Sequence, residues 1–385
     1  MKSILFIHQS AELYGSDKTL LLLLKYLDKS KFKSVVILPN DGPLKIALEN
    51  ENIKVVLAPV LKLHRKMFTP KNIFQFLKDY RKGIKTITLL HKEYKFDIIY
   101  SNTLAVLLGI IFAKKSNIKH LWHVHEILRK PKIINWIFSK FLTLKSNSLI
   151  VYNSKVTMDF WTINNAITSK SVLIYNAIET SKLQSSADEI TQLRNSLFNS
   201  NPSEIIIALV GRISKWKGQN VLLGAFEKII KSYSNCKLIF VGSPPPNQDV
   251  FLNELKTKID QLQLNNHVIL IPFTEQINRI WQAIDIAIVP STEPEPFGLV
   301  ALESMLAKKP VIGSNHGGLT EIIVNNQTGF LVQPNNEIDL ANAISVLIDN
   351  PDLRLSMGNN GFERAVQHFS VENYLSKFEG VFESM

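Results

Sequence analysis

The amino-acid sequence predicts an α/β protein made of two doubly wound parallel-sheet domains. Short apolar segments of strand length alternate with segments of helix length in the first half of the chain, and the same rhythm returns in the second half. A polar stretch rich in Ser and Asn, Ser181 to Glu204, separates the two series. With 385 residues the chain is long enough for each domain to bury its own core.

The predicted strands follow one another at the spacing of βα units. The first series is Ile4–Ile7, Ser34–Leu38, Val55–Leu57, Asp97–Tyr100, Lys119–Val124 and Leu149–Tyr152. The second series is Ile205–Val210, Lys237–Val241, His267–Ile271, Ile286–Val289 and Pro310–Gly313. Ligands of such sheets bind beyond the carboxyl ends of the strands. We therefore expect two Rossmann-like domains that face each other across a cleft, with the site in that cleft.

Composition is that of a soluble globular protein, with 45% hydrophobic and 20% charged residues. The single cysteine, Cys236, cannot form an internal disulfide, which fits a reducing compartment. The N-terminus reads as a first buried strand rather than a secretory signal. No apolar run has the length of a bilayer-spanning helix. These features together predict a cytoplasmic location.

Positive charge is concentrated in the N-terminal half. The net charge is +11, and Leu61 to Lys145 contains 18 Lys and Arg against 4 Asp and Glu, a difference of +14. Such asymmetry predicts an anionic partner for this half. Nucleic acid is an alternative partner, but no DNA- or RNA-binding module is recognisable and the cations lie among α/β elements. We expect no nucleic-acid partner.

The segment from Glu295 to Glu303 carries two carboxylates eight residues apart. Glu295 lies between two prolines that hold it in extended geometry. Glu303 shares a helix face with apolar residues, where an unsatisfied carboxylate would be costly. The helix that begins after Phe297 and Gly298 offers backbone N–H groups to an anion. Two carboxylates that accept hydrogen bonds from hydroxyl groups, and a helix N-terminus that binds a phosphate, are the groups that a nucleotide-sugar site needs.

Two loops that follow strands are candidates for phosphate contacts. Arg212 and Lys217 lie in a glycine-bounded loop after Ile205–Val210 and could neutralise a diphosphate. For this motif alone, a solvated basic loop is an equally good interpretation. Gly15 and Ser16 follow the first strand, but the three spaced glycines of a dinucleotide fingerprint are missing.

His123, His125 and Glu126 end another predicted strand. Strand alternation places the two histidines on one face and Glu126 on the other. A zinc site would need a third ligand, which is not evident at compatible spacing, so a hydrogen-bonding role is favoured. The chain contains no Asp-x-Asp pair that could hold a divalent ion against phosphates. We expect no metal and no cofactor.

Nearly the whole chain resembles the retaining glycosyltransferases of family four, which have the GT-B fold. The resemblance rests on the order of several short motifs. These are Gly15, His125-Glu126, Val151-Tyr-Asn-Ser154, Ile174-Tyr-Asn176, Gly211-Arg212 with Lys217-Gly218, Val289-Pro-Ser291, Glu295-Pro-Phe-Gly-Leu-Val-Ala-Leu-Glu303, Gly317-Gly318-Leu-Thr-Glu321 and Thr328-Gly-Phe-Leu. The segment from Glu295 to Glu303 is the most specific of them.

The resemblance implies a role for each candidate residue. Glu303 is expected to bind the ribose hydroxyls, Glu295 the donor sugar, and His125 the sugar near its reacting carbon. The diphosphate would be bound by the side chains and backbone amides of a further set: Arg212, Lys217, Phe297, Gly298 and Leu299. The wall of the nucleobase pocket is expected at the loop that contains Phe273 and Thr274, and the resemblance also includes the Gly15–Ser16 loop.

The implied reaction moves a sugar from a nucleotide-diphosphate donor, with uridine as the favoured base, to a hydroxyl of a glycan or lipid-linked acceptor. Retention of configuration would follow from same-face attack assisted by the leaving phosphate. Cell-surface polysaccharide synthesis is the expected context. The alternatives are a GT-B nucleotide-sugar epimerase and a non-catalytic sugar-nucleotide-binding protein. The fold alone does not distinguish these two alternatives from a transferase. The paired acids and cations favour the transferase.

We expect an N-terminal acceptor-binding domain over residues 1–175 and a C-terminal donor-binding domain over 176–368. Residues 369–385 are expected to form a helix that packs back on the N-terminal domain. The segment after Arg129, with Trp136, Phe138 and Phe141 beside Lys130, Lys132 and Lys140, fits an interfacial helix on anionic lipid. A core helix with a basic margin is an equal alternative for that segment.

Overall fold

The computed structural model describes residues 1–62, 70–163, 165–179 and 185–385. These residues form two compact units. Unit 1 comprises Met1–Ala177 and Val371–Met385, and unit 2 comprises Ile178–Ser370. The predicted polar stretch begins in residues 181–184, which lie outside the described residues.

The described residues of unit 1 form a seven-stranded parallel sheet in the order β3-β2-β1-β4-β5-β6-β7. The strands are β1 (Lys2–His8), β2 (Phe32–Leu38), β3 (Lys54–Leu57), β4 (Ile98–Asn102), β5 (Lys119–Val124), β6 (Asn147–Tyr152) and β7 (Ser171–Leu173). The helices are α1 (Gly15–Tyr26), α2 (Pro43–Asn50), α3 (Pro70–Tyr94), α4 (Leu108–Ser116), α5 (Lys132–Thr143), α6 (Lys155–Trp161), α7 (Asn165–Thr168) and, from the end of the chain, α16 (Val371–Ser384).

Each face of this sheet packs against its own set of helices. Alternate residues of β1 belong to different core clusters: Leu5 to the cluster that includes α3, α4 and α5, and Phe6 to the cluster that includes α1, α2 and α16. Phe378 and Phe382 of α16 are fully buried in the second cluster, and the Phe382 ring lies edge-on to that of Phe6. The C-terminal helix is therefore a structural part of unit 1.

The described residues of unit 2 form a six-stranded parallel sheet in the order β10-β9-β8-β11-β12-β13. The strands are β8 (Ile205–Val210), β9 (Cys236–Val241), β10 (Val268–Ile271), β11 (Ile286–Val289), β12 (Val311–Ser314) and β13 (Gly329–Val332). The helices are α8 (Ala187–Leu197), α9 (Gln219–Ile230), α10 (Val250–Gln261), α11 (Ile277–Ala283), α12 (Leu299–Leu306), α13 (Leu319–Ile322), α14 (Glu337–Asp349) and α15 (Pro351–His368).

The predicted fold class of two doubly wound α/β domains is confirmed, and every strand predicted from the sequence is present. Two edge strands, β7 and β13, were not predicted. β7 has three residues, all of them only partly buried, so it lacks the apolar run that marks the central strands. The polar stretch that was predicted to separate the domains belongs to unit 2 and contains a helix, α8, which Ser186 and Glu189 begin with a capping box. The Nη2 of Arg194, on α8, donates to both carboxylate oxygens of Asp285 at 2.8 Å.

Candidate functional site

The strand order of the sheet in unit 2 reverses between β8 and β11: β9 and β10 extend the sheet on one side of β8, and β11 begins the other side. Such a switch point opens a crevice at the carboxyl ends of the two strands. The loop after β8 contains Arg212 and Lys217, and the loop after β11 leads to Glu295. The candidate residues predicted from these two motifs therefore lie at the switch point.

The two loops are joined by backbone contacts. The amide of Thr292 donates to the carbonyl of Trp216 at 2.8 Å. Gly218 has φ +81°, and a Cβ there would lie 2.0 Å from the Pro290 carbonyl oxygen. Only glycine combines this left-handed conformation with so close an approach. Gly218 thus allows the basic loop to lie against the loop that carries Glu295.

Lys217 and Glu295 form a buried ion pair. The Lys217 Nζ is 2.6 Å from Glu295 Oε1, and the two side chains are 16% and 6% exposed. Ser291 Oγ donates to the same oxygen at 2.5 Å. The Lys217 ammonium also lies 4.2 Å from the centre of the Trp216 ring. The structure therefore brings together two residues that sequence reasoning assigned to different parts of the donor.

The helix α12 begins at this site. Gly298 precedes its first residue with φ +115°, and no side chain caps the helix. The amide of Gly318 donates to the carbonyl of Glu295 at 2.7 Å, so the Gly317–Gly318 turn holds the segment before the helix. A Cβ at Gly317 would lie 2.4 Å from the Glu295 carbonyl oxygen. The first amides of the helix, from Leu299 on, suit a phosphate group.

Glu303 lies one turn into α12 and is half-buried. Its Oε2 accepts a hydrogen bond from the indole Nε1 of Trp281 on α11 at 3.3 Å. Trp281 is 1% exposed, so the indole is held in place by the core. Sequence reasoning missed Trp281, because a tryptophan within an apolar helix gives no sign that its N–H orients a carboxylate.

An exposed aromatic side chain follows β10. Phe273 is 53% exposed, and its amide donates to Ser243 Oγ, after β9, at 3.0 Å. The neighbouring Thr274 Oγ1 accepts from the Gln276 amide at 3.1 Å. Because all strands of the sheet are parallel, Phe273 and Thr274 lie at the same edge as the ion pair. An exposed ring at this edge could stack on a planar base.

In unit 1 the carboxyl ends of β1, β4 and β5 carry a cluster of buried polar side chains. The Nε2 of His125, which follows β5, lies 2.8 Å from Asn102 Oδ1, an oxygen that accepts hydrogen bonds. Asn102 Nδ2 is in turn 3.0 Å from His8 Nδ1, and His8 Nε2 is 2.5 Å from Asp17 Oδ1. Burial lowers the pKa of His125 to about 3, so its ring is neutral. Sequence reasoning identified His125 but missed its three partners.

The Gly15–Ser16 loop lies beside this cluster. Gly15 is exposed and begins α1, and the carbonyl of Ser16 accepts from Asn102 Nδ2 at 3.2 Å. The loop is therefore tied to the residue that also holds His125. The predicted hydrogen-bonding role of His123 fits its contact with the Tyr100 hydroxyl, which lies 2.5 Å from His123 Nδ1.

Glu126 is held by backbone amides. Its carboxylate accepts from the amides of Leu104 and His125 at 3.0 to 3.2 Å. Burial raises the pKa of Glu126 to about 7, against the lowering effect of these hydrogen bonds. A carboxylate whose oxygens are occupied by amides is poorly placed to attack a sugar carbon. In the described parts of the chain, no group of three or more His, Cys, Asp or Glu side chains could hold a metal ion.

Two parallel-sheet α/β units of seven and six strands are the architecture of GT-B glycosyltransferases. Two family models match the chain: "Glycosyl transferases group 1" over residues 192–364 and "Glycosyltransferase Family 4" over residues 14–182. The chain belongs to this family of glycosyltransferases.

Individual relatives are similar to this chain over nearly its full length. The capsular polysaccharide biosynthesis glycosyltransferase CapM of Staphylococcus aureus is 25% identical over 369 residues, which cover 92% of this chain and 90% of CapM. Anabaena HepE, solved in complex with UDP-glucose, superimposes with a TM-score of 0.86 at 26% identity and covers 100% of both chains. The sucrose-phosphate synthase of Thermosynechococcus elongatus shares the fold, with a TM-score of 0.80 at 20% identity over 100% and 99% of the two chains.

Proposed function

We propose that this protein is a retaining, metal-independent glycosyltransferase that uses a UDP-sugar as donor and a hydroxyl group as acceptor. The observation that carries the proposal is the buried Lys217–Glu295 pair at the switch point of unit 2. The full-length similarity to HepE, which was solved with UDP-glucose, supports the choice of donor.

In this proposal unit 2 binds the donor and unit 1 binds the acceptor. Glu303 accepts hydrogen bonds from the ribose hydroxyls, and Trp281 holds its carboxylate in position. Phe273 and Thr274 form a wall of the base pocket. The diphosphate is bound by the Arg212 side chain and by the first amides of α12. The assignments are supported by the position of these residues in the chain, because they follow β8, β10 and β11, whose carboxyl ends share one edge of the sheet.

Catalysis depends on the charge that develops on the departing diphosphate. Lys217 is fixed by its 2.6 Å contact with Glu295, so it needs little reorganisation to stabilise that charge. Burial strengthens the attraction between Lys217 and the departing diphosphate, because the local dielectric constant is lower than that of water. Arg212 on the same loop adds a second cation. These residues supply the positive charge without a metal ion.

Retention of configuration follows when the acceptor hydroxyl attacks from the face that the diphosphate leaves. A phosphate oxygen of the leaving group takes the proton of that hydroxyl while the bond to the anomeric carbon breaks. Glu295 is unsuited to a nucleophile's role, since its Oε1 is occupied by Lys217 and Ser291. Glu295 and His125 bind hydroxyls of the transferred sugar instead.

The acceptor is proposed to be a glycan or lipid-linked intermediate of cell-surface polysaccharide synthesis. The similarity to CapM, a capsular polysaccharide biosynthesis glycosyltransferase, supports this context. A lipid-linked acceptor would place the enzyme at the cytoplasmic side of a membrane. No helix among the described residues has the length and apolar character of a membrane span.

Peripheral contact with anionic lipid is proposed for α3 and α5, which both pack on the same face of the sheet in unit 1. α5 exposes Ile133 at 60% and Trp136 at 57%, and α3 exposes Phe74 at 72%. The same helices and the segment before α5 also carry exposed cations: Lys78, Arg81, Lys82, Lys85, Arg129, Lys130, Lys132 and Lys140. Apolar side chains among cations suit an interfacial helix.

The side chains of α5 that are exposed for this contact differ from those expected from the sequence. Phe138 is 3% exposed and Phe141 is partly buried against the same core cluster, so neither belongs to the exposed set. Trp136 alone of the three aromatic residues considered faces solvent. Reversal of Lys130, Lys132 and Lys140 to Glu should abolish sedimentation with phosphatidylserine vesicles, and unchanged binding would refute the membrane proposal.

The function is tested by incubating the full-length protein with UDP-, GDP- and ADP-sugars and following release of the nucleoside diphosphate. We expect slow hydrolysis of one UDP-sugar, lost in Glu303→Ala and in Lys217→Ala. Early NMR spectra should show the released sugar with the anomeric configuration of the donor. An inverted product would refute retention. Interconversion of sugars without release of nucleotide would identify an epimerase, and the lack of both turnover and donor binding would identify a non-catalytic protein.

A further inference from the structure

Four buried polar side chains of unit 1 form one continuous hydrogen-bonded chain. In order they are Asp17, His8, Asn102 and His125, with separations of 2.5, 3.0 and 2.8 Å between consecutive polar atoms. They are between 0% and 9% exposed. His8 and Asn102 are the last residues of adjacent strands, and His125 follows the next strand of the sheet. The proposed mechanism uses only His125 of these four.

One carbonyl group fixes the direction of every hydrogen bond in this chain. Asn102 Nδ2 is 3.2 Å from the carbonyl oxygen of Ser16, which can only accept. The amide nitrogen of Asn102 therefore faces Ser16, and its Oδ1 faces His125. Because Oδ1 can only accept, the Nε2 of His125 must carry a proton.

The same reasoning extends to the other end of the chain. Asn102 Nδ2 also donates to His8 Nδ1, so that nitrogen has no proton and the proton of His8 lies on Nε2. His8 Nε2 then donates to Asp17 Oδ1. Each of the three hydrogen bonds therefore has one donor and one acceptor, with a single tautomer for His8 and a single tautomer for His125.

The Asp17 carboxylate agrees with this direction, because it accepts from three donors. Besides His8, Ser10 Oγ donates to Oδ1 at 2.5 Å and the amide of Tyr14 donates to Oδ2 at 2.9 Å. An amide side chain at this position would place an N–H group against one of these donors. With its oxygen still toward His8, such an amide would lose only the hydrogen bond from Tyr14, so Asp17 supports the orientation of Asn102 that the Ser16 carbonyl already requires.

We propose that Asn102, oriented by the Ser16 carbonyl and by the His8–Asp17 pair, is a positioning residue that fixes His125 as the Nε2–H tautomer, which leaves Nδ1 to accept a hydrogen bond from one hydroxyl of the donor sugar. This inference rests on the proposed function, in which His125 contacts that sugar. The depressed pKa of His125, caused first by burial and then by His8, keeps Nδ1 unprotonated at neutral pH. The ring of His123, centred 3.9 Å away, is also kept neutral by burial.

A hydrogen-bond acceptor at Nδ1 would distinguish sugar substituents that can donate a hydrogen bond from those that cannot. A hydroxyl group can donate to Nδ1, whereas a fluorine atom of similar size cannot. An imidazole with the opposite tautomer, or a protonated one, would offer a donor and tolerate fluorine. The tautomer therefore determines which sugar substituents the site accepts.

The tautomer is measured directly on the full-length protein with 15N-labelled histidine, without substrate. We expect the His125 signals, assigned by their loss in His125→Asn, to show a proton on Nε2 and none on Nδ1. In Asn102→Leu, which removes the acceptor from His125 Nε2, the two tautomers should become mixed. Ser10→Ala is the control, since it removes one donor from the Asp17 carboxylate and should leave the His125 signals unchanged. A proton on Nδ1 in the wild-type protein would overturn the inference, and so would an unchanged tautomer in folded Asn102→Leu.

The sugar contact is tested with donor analogues in which one hydroxyl at a time is replaced by fluorine. We expect one analogue to lose about 5- to 100-fold in kcat/KM, as for an unsatisfied buried acceptor. In His125→Phe that analogue and the parent donor should react equally. A preference that survives in His125→Phe would overturn the sugar contact. Failure to turn over any nucleotide sugar would refute the proposed function itself, whereas a wrong tautomer in an active enzyme refutes this inference alone.

Discussion

Replacing Lys217 by Met should destabilise unit 2 more than the loss of an ordinary salt bridge. Methionine keeps most of the volume of the lysine stem but leaves the Glu295 carboxylate, 6% exposed, without its cation. Removing one partner of a buried pair costs about 3–5 kcal/mol. We expect about 3 kcal/mol, because Lys217 is 16% exposed and water can reach the carboxylate in its place.

Hydrogen exchange followed by mass spectrometry measures this effect in each unit separately. A loss of about 3 kcal/mol corresponds to roughly 100-fold faster exchange of the β8 and β11 amides, while the amides of unit 1 serve as an internal reference. Adding Glu295→Gln to Lys217→Met should restore most of the protection, since the neutral amide can still accept from Ser291.

A solvent-exposed ion pair of unit 2 provides the matched control. Lys228 and Glu337 are 3.1 Å apart, and their side chains are 42% and 38% exposed. Lys228→Met should change protection by no more than about 1 kcal/mol. If Lys217→Met had no larger effect than Lys228→Met, or if the double variant were as unstable as the single one, the reasoning about buried charge would be refuted.

Two further predictions concern unit 1 stability and donor affinity. Unit 1 buries three neutral histidines, His120, His123 and His125, whose pKa values burial lowers from 6.5. Near pH 5.5 the unfolded chain therefore holds about three protons on these side chains, while the native chain holds about one, on Glu126, whose pKa is about 7. Urea unfolding should show stability falling by up to about 2.7 kcal/mol per pH unit, and equal stability at pH 7.5 and 5.5 would contradict this. Trp281→Phe, which removes the donor to Glu303, should weaken UDP binding about 3- to 10-fold in calorimetry with an unchanged fold, and unaltered affinity would show that the indole does not position this acid.

Apolar runs bounded by glycine or polar residues predicted the central strands well. β8 runs from Ile205 to Val210 as expected, because its residues are nearly all buried on both faces and Gly211 follows at once. The edge strands β7 and β13, which were not predicted, have three and four residues and are only partly buried. Local pattern therefore predicted every central strand but only two of the four edge strands, β3 and β10.

The contacts of the site depend on distances along the chain that no local pattern contains. Lys217 and Glu295 are separated by 78 positions, and His8 and Asn102 by 94. The residue types at Lys217, Glu295 and His125 could be identified from motifs. Their partners became visible only when the parallel strands placed their carboxyl ends side by side.

Periodicity also could not decide which side of α5 faces solvent. Trp136 and Phe138 are two residues apart in a helix and point in different directions, the first to solvent and the second to the core. Both are large apolar side chains near lysines, so sequence alone gave them the same environment. The sheet on which α5 packs determines the difference.

The central claim is that the switch point of unit 2 binds the nucleotide of the donor, and calorimetric titration of UDP into the full-length protein tests it most directly. The account predicts binding that is weakened about 10- to 100-fold in Lys217→Met and in Glu303→Gln, as expected for lost hydrogen bonds to charged groups. Lys215→Met, which removes an exposed cation of the same loop, should bind UDP nearly as well as the wild-type protein. Binding that is unaffected by Lys217→Met and Glu303→Gln, or the absence of any UDP binding, would contradict it.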